Sequence, residues 1–409
     1  MTIRISFIIP VLDGAEFPDQ SLNAILSQSS EDDEVIVVGV GADGAKADIP
    51  GDPAPNVRCI RPERPGRSAA LNHAIEATGG EFVWICHSTD ILLPGAVDAL
   101  LAAFDDPEVD FAFGRHCPFD VSDSGEHGML PFDWPDLSRG SVARHLMEDF
   151  FIMQSAALVR RRSYQRVGPF DSSVRQLSDY EMFVRLALAG LPRFVDQEIF
   201  VKRKQDGKAG SANSAQAGEI STNIPHQLDE RIFRRLHSLV PLSIFEAMFR
   251  SRNGRLADRA ALLQRACVSA RHALWDLAIE DIRAASAILP DTPLDPCEYE
   301  ICTRMLSGRL DFAEADRTGV IGKLALVYSI GGLQREVVSA ILHGMLRHLR
   351  ICQADREREI DNLIARITGA TGSLGSLHNH LSRKFRRPAL IEERREPSAF
   401  VALNPISCA

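Results

Sequence analysis

The chain has 409 residues, 45% of them hydrophobic and 25% charged, which suits an ordinary globular protein long enough for two domains and a sizeable buried core. A formal net charge of −9 argues against wholesale nucleic-acid binding, which needs a basic face to neutralise phosphates, so an anionic substrate has to meet local cations. No apolar run approaches the roughly 18 to 20 residues that span a bilayer, the opening ISFIIPV has no basic leader, and the eight cysteines lack CxxC pairing, so a cytoplasmic protein with reduced, buried thiols is expected.

From residue 3 to about 115 the β-rich runs IRISFII, EVIVVGV, VRCI, EFVWIC and VDFAF alternate with helical stretches, the pattern of βαβ units on a largely parallel sheet. Near-continuous Val, Ile and Phe mark central strands covered on both faces. SAALNHAIEATGG places Leu71, Ala74, Ile75 and Thr78 on one helical face and ends in two glycines, and LPGAVDALLAAF carries Pro94 near a first turn; both read as crossover helices. The stretch 115–140 is rich in Pro, Gly, Asp and Ser and reads as an exposed loop.

Beyond that loop, QSAALVRR reads as a strand, SDYEMFVRLALAG as a helix capped by Ser178 or Asp179 and stopped by Gly190, and RFVDQEIFV as another strand. The small-residue stretch 204–218 marks a boundary, after which strand signals nearly vanish and the chain is helical from about 228 to 368, without a fixed repeat period. The tail after 369 is Gly/Ser-rich and then basic (SRKFRR), and is expected to be mobile. The expected domains are 1–218 (α/β), 219–368 (α-helical) and 369–409 (tail).

In an open parallel sheet, ligands sit at the C-terminal ends of the strands where chain order reverses. Pro10 to Gly14, Gly39 to Gly44, Pro65 to Asn72, His87 to Pro94 and Ser178 to Glu181 are expected to converge there. Asp179 stands at a helix start, which keeps a carboxylate ionised and able to take a proton, although helix capping alone also explains it. Glu181 reads as a polar helix residue.

Together, ISFIIPVLDG, EVIVVGVGADG, RPGRSAALNHAIEATGGEFVWICHSTDILLPGAV and GPFDSSVRQLSDYEMFVRLALAG resemble family-2 glycosyltransferases over about residues 3–205. The resemblance implies a GT-A fold, a half-Rossmann α/β sheet, and inverting transfer from a nucleotide-diphosphate sugar donor to a glycan, lipid-linked or protein acceptor. Matched position by position, it places Pro10 and Asp13 against the nucleotide, Arg67 and Asn72 along the nucleotide sugar, Asp179 as the base, and KRKQDGKAGS, with Arg203, over the diphosphate.

Departures from the family pattern are equally plain. Its acidic pair after the second strand is Gly39 and Val40 here, with Asp43 displaced, and its DADD stretch is His87, Ser88, Thr89 and Asp90. Hard cations such as Mg²⁺ or Mn²⁺ normally take two or three carboxylates against a diphosphate. Asp90 with His87 is the candidate metal pair, and Arg64, Arg67, Lys202, Arg203 and Lys204 are the candidates for metal-free charge.

His116, Cys117 and His127 fix no third ligand and read as loop residues, and GVGADG lacks dinucleotide spacing. SRKFRR suits solvent or peripheral contact with a membrane surface. A second reading, motivated by the missing acids, is a glycosyltransferase-like scaffold that binds a glycan or a partner protein.

Overall fold

The computed structural model describes residues 3–12, 19–41, 56–118, 120–121, 127–128, 134–174, 176–202, 226–306, 318–352, 357–369 and 388–395. The chain divides into two compact units, one formed by 1–135, 150–221 and 400–409, the other by 136–149 and 222–399.

In chain order the elements are β1 (Ile5–Leu12), α1 (Asp19–Leu26), β2 (Glu34–Val40), β3 (Val57–Ile60), α2 (Arg67–Ala77), β4 (Phe82–Ile85), β5 (Asp90–Leu92), α3 (Ala96–Ala102), β6 (Val109–Pro118), β7 (Asp120–Val121), β8 (His127–Gly128), α4 (Val142–Glu148), β9 (Ala157–Arg160), α5 (Arg161–Val167), α6 (Ser178–Ala189) and β10 (Leu191–Lys202). Apart from α4 and the small β7–β8 pair, these build one sheet of order β3-β2-β1-β4-β9-β6-β10-β5 with helices around it. β1 pairs in parallel with β2 on one side and β4 on the other, so chain order reverses between β1 and β4. β9 enters antiparallel between β4 and β6. Ile5, Phe7, Ile8, Ile9 and Val35 through Val38 have 0% exposure, as two-sided cover demands.

Strand β1 runs further than its apolar pattern indicated and takes in Pro10, which is buried and faces Val38 of β2. Its register with β4 stops at Ile8, so the missing proline N–H breaks no ladder bond there. The glycine pair after α2 also differs from expectation. The helix ends at Ala77 with Thr78 as its cap, and Gly80 is required instead by close approach, since a Cβ there would lie 2.6 Å from Ser6 Oγ.

The second unit is mainly helical: α4, α7 (His226–Leu239), α8 (Leu242–Glu246), α9 (Gly254–Arg271), α10 (Trp275–Ile288), α11 (Pro296–Thr303) and the helices Val320–Ile330, Gly332–Cys352 and Glu357–Thr368. Two features were not anticipated. α4 comes from the stretch ahead of residue 150, which was assigned to the α/β domain, and its Glu148 is buried among Arg144, Gln264, Arg271 and Arg304 of this unit. Burial raises the Glu148 pKa, but Arg304, Arg144 and Arg271 overcome it and hold the carboxyl far below its usual range.

The tail expected to be mobile is fixed at residues 388–395. There β12 (Ile391–Glu393) pairs antiparallel with β11 (Phe249–Ser251), Ile391 is 2% exposed, and Glu393 accepts from Arg144 Nε at 2.7 Å. The SRKFRR run lies outside the described residues.

Candidate active site

The reversal point between β1 and β4 is where the topology opens a ligand crevice. At the end of β4 the chain makes a tight turn, with Asp90 N donating to His87 O at 3.1 Å. A single hydroxyl organises this turn. Ser155 Oγ accepts from His87 N at 2.9 Å and donates to Asp90 Oδ2 at 2.6 Å, while Ser155 O accepts from Trp84 Nε1 at 3.0 Å. Ser21 Oγ of α1 donates to His87 O at 3.3 Å, which ties the first helix to the same turn. Asp90 is 5% exposed and opens β5, whose backbone pairs with Lys202 of β10.

Arg67 is the first residue of α2, following Gly66, which sits at φ 97° with no side-chain cap. Its Nη2 donates to His87 Nε2 at 2.9 Å and to Gln154 Oε1 at 2.5 Å. A guanidinium only donates, so His87 Nε2 accepts and the imidazole is neutral with its proton on Nδ1. Burial pulls the Arg67 pKa down from its ordinary value, and the carboxylates of Asp179 and Asp90 act in the opposite sense. Cys86, just before the turn, is pushed well up by burial and by Asp90, so its thiol stays neutral.

Asp179 stands in the first turn of α6, half-buried, with Oδ1 accepting from Tyr180 N at 3.0 Å. The N-cap is neither Ser178 nor Asp179 but Leu177, held in the left-handed region at φ 62° with no side-chain cap bond. A non-glycine residue in that region stores of order 1–2 kcal/mol, a strain that recurs where a chain must present a functional side chain. Glu181 is 4% exposed and engages Arg185 through both oxygens at 2.7 Å, while Arg185 also donates to the carbonyls of Val167, Gly168 and Pro169. Glu181 is therefore a buried ion-pair partner that anchors the segment leading into α6.

The structure thus brings Arg67, His87, Asp90 and Asp179 into one electrostatic group. Asn72 is committed elsewhere. Its Nδ2 donates to Phe170 O at 2.9 Å and its Oδ1 accepts from Phe170 N at 2.8 Å, so it ties α2 to the segment before α6. Pro10 lies inside β1, and Asp13, Arg203 and Lys204 fall outside the described residues. Of the loop histidines, His116 belongs to β6 and is 7% exposed between the rings of Trp134 and Phe200. Gln154 and Ser155, 3% and 0% exposed, hold Arg67 and the turn after β4, and sequence reasoning did not single them out because they head a run read as an ordinary strand.

Residues 6–168 match the family model described as Glycosyl transferase family 2. That stretch is similar to a family 2 glycosyltransferase domain. The sheet order, with its reversal between β1 and β4 and its antiparallel β9, is the GT-A arrangement of that domain. An uncharacterized Mycobacterium tuberculosis protein is 29% identical over 223 residues, which is 49% of this chain and 66% of that protein. An uncharacterized glycosyltransferase of Rickettsia felis is 22% identical over 55% of this chain and 39% of its own length. The matched stretch therefore spans less than two thirds of either relative. Glycosyltransferase GlyG of Streptococcus pneumoniae is 22% identical over 51% of this chain and 73% of its own. Among solved structures, S. aureus TarS 1–349 in complex with UDP-GlcNAc overlays with a TM-score of 0.46 at 12% identity, covering 85% of this chain and 92% of that one.

No helix among the described residues is long and apolar enough to cross a membrane.

Proposed function

We propose that the chain is an inverting glycosyltransferase that moves a sugar from a nucleotide-diphosphate donor to a hydroxyl of a glycan, lipid-linked or protein acceptor. The observation that carries this reading is the convergence of Asp179, from the first turn of α6, with Asp90 on the Arg67 guanidinium at the crevice of a domain similar to family 2. In the reaction the Asp179 carboxylate takes the acceptor proton as the acceptor oxygen bonds to the anomeric carbon from the face opposite the diphosphate. The bond from that carbon to the diphosphate oxygen breaks, and its electron pair leaves on the diphosphate.

Titration calorimetry with a panel of UDP- and GDP-sugars tests the donor side without any acceptor. At least one donor binds on this reading, and silence across the panel contradicts it. Replacement of the family's acids by His87, Ser88 and Thr89 favours one other reading, a scaffold that binds a glycan or partner protein without transfer. Donor turnover above background in a purified preparation, abolished by Asp179→Asn, excludes that second reading.

A further inference from the structure

We propose that in this chain the Arg67 guanidinium, and not a divalent cation, receives the charge of the donor's diphosphate. The inference rests on the glycosyltransferase reading above and concerns how that site handles charge.

The side chains at the turn after β4 do not fit a hard cation. Such an ion prefers several carboxylate oxygens, and the stretch supplies one carboxylate, Asp90, preceded by an imidazole and two hydroxyls. Asp90 Oδ2 already accepts the Ser155 hydroxyl at 2.6 Å. The lone pair of His87 Nε2 is taken by Arg67 Nη2 at 2.9 Å, so a metal there would displace a hydrogen bond and stand against a guanidinium. Among the described residues no group of three or more His, Cys, Asp or Glu is arranged to hold a metal ion.

The guanidinium does fit a diphosphate. It carries five N–H groups. The two on Nη2 go to His87 and Gln154, and those on Nε and Nη1 meet no acceptor among the described residues. Arg67 is thus braced at one nitrogen by two neighbours that are themselves fixed, Gln154 by its burial and His87 by the Ser155 bond to its backbone N–H. The remaining donors are held ready for anionic oxygens, so less side-chain freedom is lost on binding. A partly buried site strengthens the attraction relative to water. The carboxylates of Asp90 and Asp179 offset the buried charge before a donor arrives. Because Arg67 opens α2 behind an uncapped Gly66, the positive end of that helix adds to the same field.

The test is titration of the full-length chain with UDP and with UDP- and GDP-sugars, once in EDTA and once in Mn²⁺. The wild type is expected to bind with the same affinity, within about twofold, in both buffers, and Arg67→Met to weaken binding more than about tenfold with no rescue by Mn²⁺. Partial restoration of Arg67→Ala by methylguanidinium supports the charge itself, which a merely structural role does not predict. If Arg67→Met does not fold, as judged by its melting curve, His87→Ala and Gln154→Ala serve instead. Each removes one brace and keeps the charge, so affinity falls severalfold and stays insensitive to EDTA. Binding that is lost in EDTA and regained with Mn²⁺ overturns the inference while leaving the glycosyltransferase reading intact, as does wild-type affinity in Arg67→Met. Silence with every nucleotide in both buffers removes the donor reading and this inference with it.

Discussion

Arg67 Nη2 and His87 Nε2, 2.9 Å apart, join the start of α2 to the turn after β4 through a cation facing a neutral imidazole. The pairing fixes the tautomer of His87 and the direction of Arg67 at once. Replacing the His87 side chain by Ala leaves one of the two Nη2 protons without its partner, at a cost of about 1–3 kcal/mol if no water takes it. In a denaturant titration His87→Ala is expected to lower stability by that amount. Wild-type stability would show that the bond contributes nothing.

Asn72→Ala removes both bonds to the Phe170 backbone and is expected to destabilise by about 1–3 kcal/mol. Because Asn72 ties α2 to the segment before α6, donor affinity should follow the loss of order and not a lost ligand contact. Asn72→Asp keeps the acceptor half but sets a carboxylate oxygen against Phe170 O, so it should be no more stable than Asn72→Ala. Full stability in Asn72→Ala together with weakened donor binding would restore the expectation that this amide touches the nucleotide sugar.

Much of the fold was legible because β1 and β2 are nearly continuous Val, Ile and Phe, a pattern that only two-sided burial explains. The direction of β9 was not, since an apolar run such as AALV carries no sign of antiparallel entry, and β5, three residues long, gives no periodicity to read. A family pattern picks out Asp179 and Arg67 as candidates, whereas it gives no sign of Gln154 and Ser155. Their importance comes from Arg67 and Asp90, distant in the chain. The same holds for β12, whose pairing with β11 joins segments that no local signal connects.

Leu177 sits at φ 62° before α6 without a side-chain cap bond. Leu177→Gly removes the left-handed strain and is expected to keep or raise stability by up to about 1 kcal/mol, while Leu177→Val, stiffer at that backbone, loses about 1–2 kcal/mol. Chemical denaturation of both variants checks the ordering. A Gly variant less stable than the Val variant contradicts it.

In the second unit, His145 is buried with Nε2 donating to Arg139 O at 2.7 Å and Nδ1 accepting from Arg144 Nη1 at 3.2 Å. Burial, then the Arg144 charge, pull its pKa down to about 4 from 6.5. The folded state therefore binds fewer protons than the unfolded chain between those values, so the contribution is complete above pH 6.5 and lost as pH falls toward 4. A shift of this size corresponds to about 3 kcal/mol. His145→Gln should flatten the acid limb of stability against pH in that window, and an unchanged limb contradicts the assignment.

The most direct measurement of the central claim compares Asp179→Asn with the wild type in two assays on the same preparations, donor affinity by calorimetry and sugar release from the donor in the presence of an acceptor pool. The account predicts turnover lower by about 10² to 10⁴ with donor affinity within about threefold of wild type, because the base acts on the acceptor proton. Equal turnover in the two proteins contradicts it.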